Sequence, residues 1–315
     1  RHAFMKFDWA NTSILLGHTW QAWGLQPSFN ILSFSENHFN KGATRVPQIR
    51  LTQKFLKEFS MVLALSAPTQ TLWGNNGGNY EDDQTRGLLP ESSLEFIWRT
   101  PRCGQIGPWM LQFGLGGMVG REKVTYNINT AANPYYKDTD MTKWGASLYG
   151  YIPIIPEKKG NKTNALGFSG TVFTGQGLNQ QLPAYPGGGA FGVQAYDRTG
   201  FNAIGNGAVT VLPVEARYPV TVGYWAQLNY YFTHAWQCNL LYGAQRNAFS
   251  YTYSRNNVNT QQFVSNWIAN VLWDVNPAIR VGLEYSHIKT QYGWFVNNSR
   301  TGHFDAIRFG AFYFF

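Results

Sequence analysis

Connections of two lengths, taken strictly in turn, are the feature that most limits what this chain can become. Stretches that alternate apolar and polar residues, or read as strands, fall at 2–9, 12–20, 47–55, 59–67, 93–99, 109–121, 142–152, 164–174, 219–232, 235–248, 262–274, 278–291 and 304–315. The connections after the first, third, fifth, seventh, ninth and eleventh are short: "AN", "LKE", "TPRCGQIGP", "PEKKGNKTN", "TH" and "VNPA". The others are long and rich in Asn, Gly, Thr and Pro, at about 21–46, 68–92, 122–141, 175–218, 249–261 and 292–303. Period two means strand. Short and long in turn predicts antiparallel neighbours with tight turns on one rim and loops on the other, the plan of an up-and-down β-barrel.

Composition agrees with a barrel in a membrane. Only 13% of the 315 residues are charged and 17% are aromatic, whereas a soluble domain carries about 25% charge. No run of about 18 apolar residues marks a spanning helix, and the mean hydropathy is −0.29. A chain that is polar on average yet aromatic-rich hides its lipid face by alternation. The expected fold class is therefore all-β, a transmembrane antiparallel up-and-down barrel forming one domain over residues 1–315. The expected place is the outer membrane of a Gram-negative bacterium.

The last strand, ending "AIRFGAFYFF", follows a long connection and so descends to the turn rim, where terminal aromatics sit in the interfacial girdle. The first strand leads into a short turn and descends as well. An even count that starts and ends on the turn rim requires an odd number of strands before Arg1. One makes 14 and three make 16, so the reading expects a chain that lacks its true N-terminus.

Alternation also assigns faces. Gln48, Arg50, Thr52 and Lys54 oppose Ile49, Leu51 and Phe55; Val220, Val222, Tyr224, Ala226, Leu228, Tyr230 and Phe232 form one apolar row. Arg or Lys facing mid-bilayer costs about 2–4 kcal/mol, so the polar rows face inward. A barrel of 14 to 16 strands is too wide for side chains to fill, which predicts a water-filled pore. The expected inward ionisable groups are Lys6, Asp8, Arg50, Lys54, Glu95, Arg99, Lys143, Arg280, Glu284 and Arg308. Their excess of bases predicts a preference for small organic anions; the bland alternative is a set of wall residues paired with Glu95 and Glu284. With a formal charge of +8 but no Lys/Arg run of five, no nucleic-acid partner is expected.

The connection 21–46 carries Phe29, Ile31, Leu32, Phe34 and Phe39, where an outward loop should be polar. It is read as folding inward and narrowing the pore, with Lys41 and Arg45 near the constriction; packing outside or against a neighbouring subunit is the alternative. The predicted pore-lining and anion-binding set is thus Lys41, Arg45, Arg50, Lys54, Arg99, Arg280 and Arg308. Glu81, Asp82 and Asp83 read as a solvated loop tip, and Cys103 and Cys238 as unpaired. "GLGGMVG" at 114–120 lies within a strand with no helix after it, so it is not a dinucleotide fingerprint. No enzyme, metal or cofactor is expected: the six histidines lack ligand spacing, and only His287 or His303 with Asp305 could be drawn as a hydrolase remnant. The rival functions are a surface adhesion or structural barrel with a sealed lumen, and an outer-membrane hydrolase.

Arg1, His2 and Ala3; Leu16, Gly17, Thr19 and Trp20; Pro27; and Arg45, Pro47, Gln48, Ile49 and Arg50 occur in the order found in the DcaP-like outer-membrane porins, which this stretch of about 50 residues resembles. His18 stands where that family more often has Gln. The resemblance implies a 16-stranded homotrimeric porin passing small organic anions such as dicarboxylates. It also implies three strands before Arg1. Lipid and lipopolysaccharide are the partners expected of the barrel's outer face.

Overall fold

A computed structural model of the chain describes all residues except 1, 24–27, 29, 33–44, 68–88, 128–135, 179–193, 198–213, 218, 249–260, 297 and 315. For 122–127, 136–139, 141, 194–197, 214–217 and 296 it describes the backbone alone. Each stretch that reads as a strand in sequence is one. The chain forms β1 (Ala3–Asp8), β2 (Thr12–Trp20), β3 (Arg45–Phe55), β4 (Phe59–Ser66), β5 (Glu91–Ile106), β6 (Trp109–Asn127), β7 (Tyr136–Ile155) and β8 (Leu166–Gln176). A small separate hairpin follows, β9 (Gln194–Asp197) with β10 (Val214–Arg217). The main sheet resumes with β11 (Val220–Tyr231), β12 (Trp236–Ala248), β13 (Gln261–Asn276), β14 (Ile279–Val296) and β15 (Ser299–Tyr313). Its 13 strands are ordered as in sequence, and each neighbouring pair is antiparallel.

Two connections differ from expectation. "TPRCGQIGP" is not a turn: β5 runs on to Ile106, and only Gly107 and Pro108 turn the chain. Pairing passes from Thr100↔Leu111 directly to Gln105↔Met110, leaving residues 101–104 without partners on β6. Pro101 has no N–H to pair, and Gly104 at φ +80° packs on Pro156, so the bulge absorbs the extra residues. The long loop expected at 292–303 is mostly strand. β14 and β15 extend to Val296 and from Ser299, with Asn298 in the left-handed region at φ 63°, a conformation asparagine tolerates. β6 and β7 likewise run beyond the expected bounds.

The two faces of the sheet differ as alternation requires. Leu63, Leu94, Phe96, Leu115, Leu148, Val172, Val222, Leu228, Leu240, Val271 and Leu283 are exposed on one side. Gln112, Ser147, Ser169, Thr171, Gln227, Asn229, Asn239, Asn270 and Glu284 are buried on the other. Glycines on that polar face seat rings from neighbouring strands. A Cβ on Gly114 would lie 2.1 Å from the Tyr149 ring, and one on Gly167 2.5 Å from the Tyr151 hydroxyl. At the turn rim the outer face carries aromatics in contact: Phe7 with Trp9, Phe59 with Trp98 and Trp98 with Phe113, and Trp236 stacked on Trp273 at 5.3 Å. Phe312 and Phe314 stack at 6.5 Å on the other side of β15, the inner face, where the Arg280 guanidinium lies 5.8 Å over the Phe314 ring. Of the last three described aromatics only Tyr313 stands on the outer face, where an interfacial girdle would hold it.

One turn is fastened from below. Glu58, between β3 and β4, accepts hydrogen bonds from the Trp98 indole at 3.2 Å and the Thr100 hydroxyl at 3.1 Å, and pairs with Arg102 at 2.9 Å. The Trp98 bond first, then the others, hold its carboxyl below the ordinary range. Cys103 and Cys238 are free thiols.

Candidate functional site

The residues that follow β2 leave the sheet edge and cross its polar face. Gln21 donates to Glu91 at 2.6 Å on β5, beside the buried pair of Glu91 with Lys143 at 3.3 Å. Trp23, 1% exposed, packs with Met118, Phe173 and Leu178. Its seat is made by glycines: a Cβ on Gly116 would stand 3.0 Å from the indole and one on Gly145 2.5 Å from it. The glycine run "GLGGMVG" therefore has a structural use, as half of an indole socket.

The segment then reaches the far strands. Ile31 packs among Trp225, Leu241 and Ile268 on β11, β12 and β13. Leu32 lies against Gly282 of β14 and Gly310 of β15, whose Cβ positions it would approach to 3.3 and 3.1 Å. The twelve residue steps from Trp20 to Leu32 span at most about 42 Å, whereas β2 and β15, eleven strand intervals apart, would lie about 53 Å apart in a flat sheet. The sheet is therefore curled, with its polar face inside.

A row of amides receives the segment. Asn229, Asn239, Asn270, Glu284 and Arg308 stand opposite one another on β11 to β15. Asn229 donates to Asn239, Asn239 to Asn270 at 2.7 Å, and Asn270 to Glu284 at 3.0 Å. The Asn30 carbonyl accepts from Asn270 at 2.8 Å and Asn239 at 3.3 Å, and its side chain bridges Gln237 at 3.0 Å and Arg280 at 3.2 Å. Asn30 adopts φ 52°. The Leu32 amide donates to Glu284 at 2.7 Å, so the carboxylate, 0% exposed, closes the clasp.

The residues predicted as pore-lining are distributed unevenly. Lys41 lies outside the described residues. Arg45 opens β3 opposite Trp20 and sets its guanidinium over that ring at 3.9 Å, on the outer side by alternation from Arg50. Arg50, Lys54, Arg99, Arg280 and Arg308 all stand on the inner face. Arg280 is gripped by Asp274 at 2.5 and 3.0 Å, and Lys6 by Asp8 at 2.8 Å; Arg308 donates to Ser286 at 2.6 Å. Arg50 and Arg99 are held by glutamine oxygens, Gln48 at 2.8 and 3.1 Å and Gln112 at 2.5 and 2.9 Å. Glu95 lies near Arg50 and accepts from the Tyr149 hydroxyl.

Sequence reading missed Asp274, Glu91 and the amide row. For Asp274 a signal existed, since it and Arg280 stand on opposite sides of the "VNPA" turn, one residue before it and two after it. Among the described residues no cluster of three His, Cys, Asp or Glu could hold a metal. His287 pairs with Asp305 at 2.8 Å and stacks on His303 at 5.8 Å, but this group is on the outer face, away from the crossing segment.

The whole architecture matches that of the DcaP outer-membrane channel of Acinetobacter baumannii, at a TM-score of 0.70 and 17% identity over 99% of this chain and 73% of that one. The NanC porin (TM-score 0.35, 9% identity, 86% of this chain and 93% of that one) and OmpT, an outer membrane protein of Vibrio cholerae (0.46, 9%, 96% and 76%), are more distant. No protein-family model and no curated protein matches the chain in sequence. The fold is that of an outer-membrane channel.

Proposed function

We propose that this chain is an outer-membrane porin through which small hydrophilic solutes, organic anions before others, diffuse along a water-filled barrel narrowed by the segment after β2. The observation that carries the reading is the crossing segment itself. It is pinned at Trp23 and again at Asn30–Leu32, and below Gln21 its described contacts fall on β6–β8 and β11–β15. Arg50, Lys54 and Arg99, on β3 and β5, face the space it leaves. Among the described residues two guanidiniums and an ammonium there stand against one carboxylate, Glu95, and a positive field in a narrow low-dielectric passage concentrates anions.

The barrel closes with 16 strands in this reading. The first and thirteenth strands of an all-antiparallel sheet run in the same direction, so closure by antiparallel pairing throughout takes an odd number of further strands between β1 and β15, three in this proposal. Lipid and lipopolysaccharide contact the outer face, and the likeness to the DcaP-like porins extends the proposal to a homotrimer. The chain needs no cofactor and performs no catalysis.

The charge assignment is tested in planar bilayers under a KCl gradient. Arg50→Gln and Arg99→Gln each move the reversal potential toward zero, and together they move it further. Removing the matched pair with Lys6→Gln and Asp8→Asn leaves it in place. Equal shifts from all of these variants would contradict the assignment.

A further inference from the structure

Five of the inner bases are held in two different ways, and the difference bears on selectivity. Lys6, Lys143 and Arg280 each have a carboxylate: Asp8 at 2.8 Å, Glu91 at 3.3 Å and Asp274 at 2.5 Å. Among the described residues Arg50 and Arg99 are gripped by amides, with the Glu95 carboxylate near Arg50. Gln48, 5% exposed, donates its Nε2 to the Thr19 carbonyl at 3.0 Å and the Trp20 carbonyl at 2.8 Å. Its amide orientation is thereby set, and its Oε1 is left to accept from Arg50 Nη2 at 2.8 Å and Nε at 3.1 Å. Arg50 also donates to the Trp20 carbonyl, so the guanidinium is tied to the point where the crossing segment leaves β2. Gln112, 8% exposed, accepts from Arg99 Nη2 at 2.5 Å and Nε at 2.9 Å.

A carboxylate in either position would give the same grip as a charge-assisted fork and cancel the charge it grips. An amide oxygen accepts the two N–H groups and cancels nothing. The side chain loses its freedom to swing away while its field stays available to a passing solute, which is preorganisation at no cost in charge.

We infer that Gln48 and Gln112 are positioning residues that set the charge preference of the channel by holding Arg50 and Arg99 through neutral oxygens. The inference rests on the anion-preferring pore proposed above. It differs from that reading in assigning the preference partly to residues that carry no charge themselves.

The test compares Gln112→Glu, Gln112→Met and Arg99→Gln in planar bilayers under a KCl gradient, with Gln48→Glu, Gln48→Met and Arg50→Gln as the second set. Heat-modifiable migration on gels selects the folded protein. The glutamate variants are expected to move the reversal potential toward zero as far as loss of the arginine does. The methionine variants keep the chain's charge and remove the amide, oxygen and NH2 together, and they are expected to move it part of the way. If the glutamate variants do not fold, the methionine variants carry the test alone. Methionine variants at the parent's potential, with Arg→Gln still lowering it, would overturn the positioning role and leave the anion reading standing. A conducting parent without anion preference would overturn both.

Discussion

Trp23→Ala opens the pore and loosens the protein. The indole is almost wholly enclosed, against Met118, Phe173 and Leu178 and over Gly116 and Gly145. Truncating a buried Trp to Ala costs about 3–5 kcal/mol, through lost burial and the cavity left behind. Here the larger consequence is positional, because Trp23 is the first of the two points that fix the segment across the inner face. Single-channel conductance is expected to rise and larger neutral sugars to pass in liposome swelling. Gly145→Val reaches the same end from the wall side. Its Cβ would stand 2.5 Å from the indole and 2.9 Å from Leu178, and a rigid ring cannot yield as a flexible side chain would. Two substitutions, one in the crossing segment and one on β7, with one phenotype would identify the socket; unchanged conductance in both would remove the segment from the permeation path.

Glu284→Leu releases the second anchor. Glu284 accepts from the Leu32 amide and from Asn270, so leucine leaves two buried donors without an acceptor, at about 1–3 kcal/mol for each. Conductance is expected to rise and to flicker as residues 30–32 come and go. Glu284→Gln separates charge from clasp. It removes the same negative charge but keeps an acceptor oxygen, so anion preference should increase while conductance remains steady. Flicker in both variants would tie the effect to the lost charge rather than to the clasp.

The strands were legible because the two faces of a membrane sheet impose opposite solubility on alternate residues, as at Val220–Tyr230 against Thr221–Tyr231. Their ends were less so. Thr100–Ile106, Tyr292–Val296 and the residues from Ser299 on continue as strand where the alternation no longer separates apolar from polar, and Gly, Pro and Asn there resemble turn residues. The inward course of the segment after β2 was suggested by its aromatic and aliphatic residues. Its seats were not, since Asn229, Asn239 and Asn270 look like any polar inner row until register sets them side by side. Sequence also weighted the bases alike. Only geometry separates Arg280, matched by Asp274, from Arg50 and Arg99, held by amides, and sets Arg45 on the other face of β3 over Trp20.

The central claim is that the polar face encloses a conducting, partly obstructed passage. Single-channel recording of the purified protein in planar bilayers under a KCl gradient tests it most directly. The account predicts stable unit conductance with a reversal potential on the anion-selective side. A protein that is folded by heat-modifiable migration and inserts without conducting would contradict it, and would favour a sealed barrel whose loops serve surface adhesion.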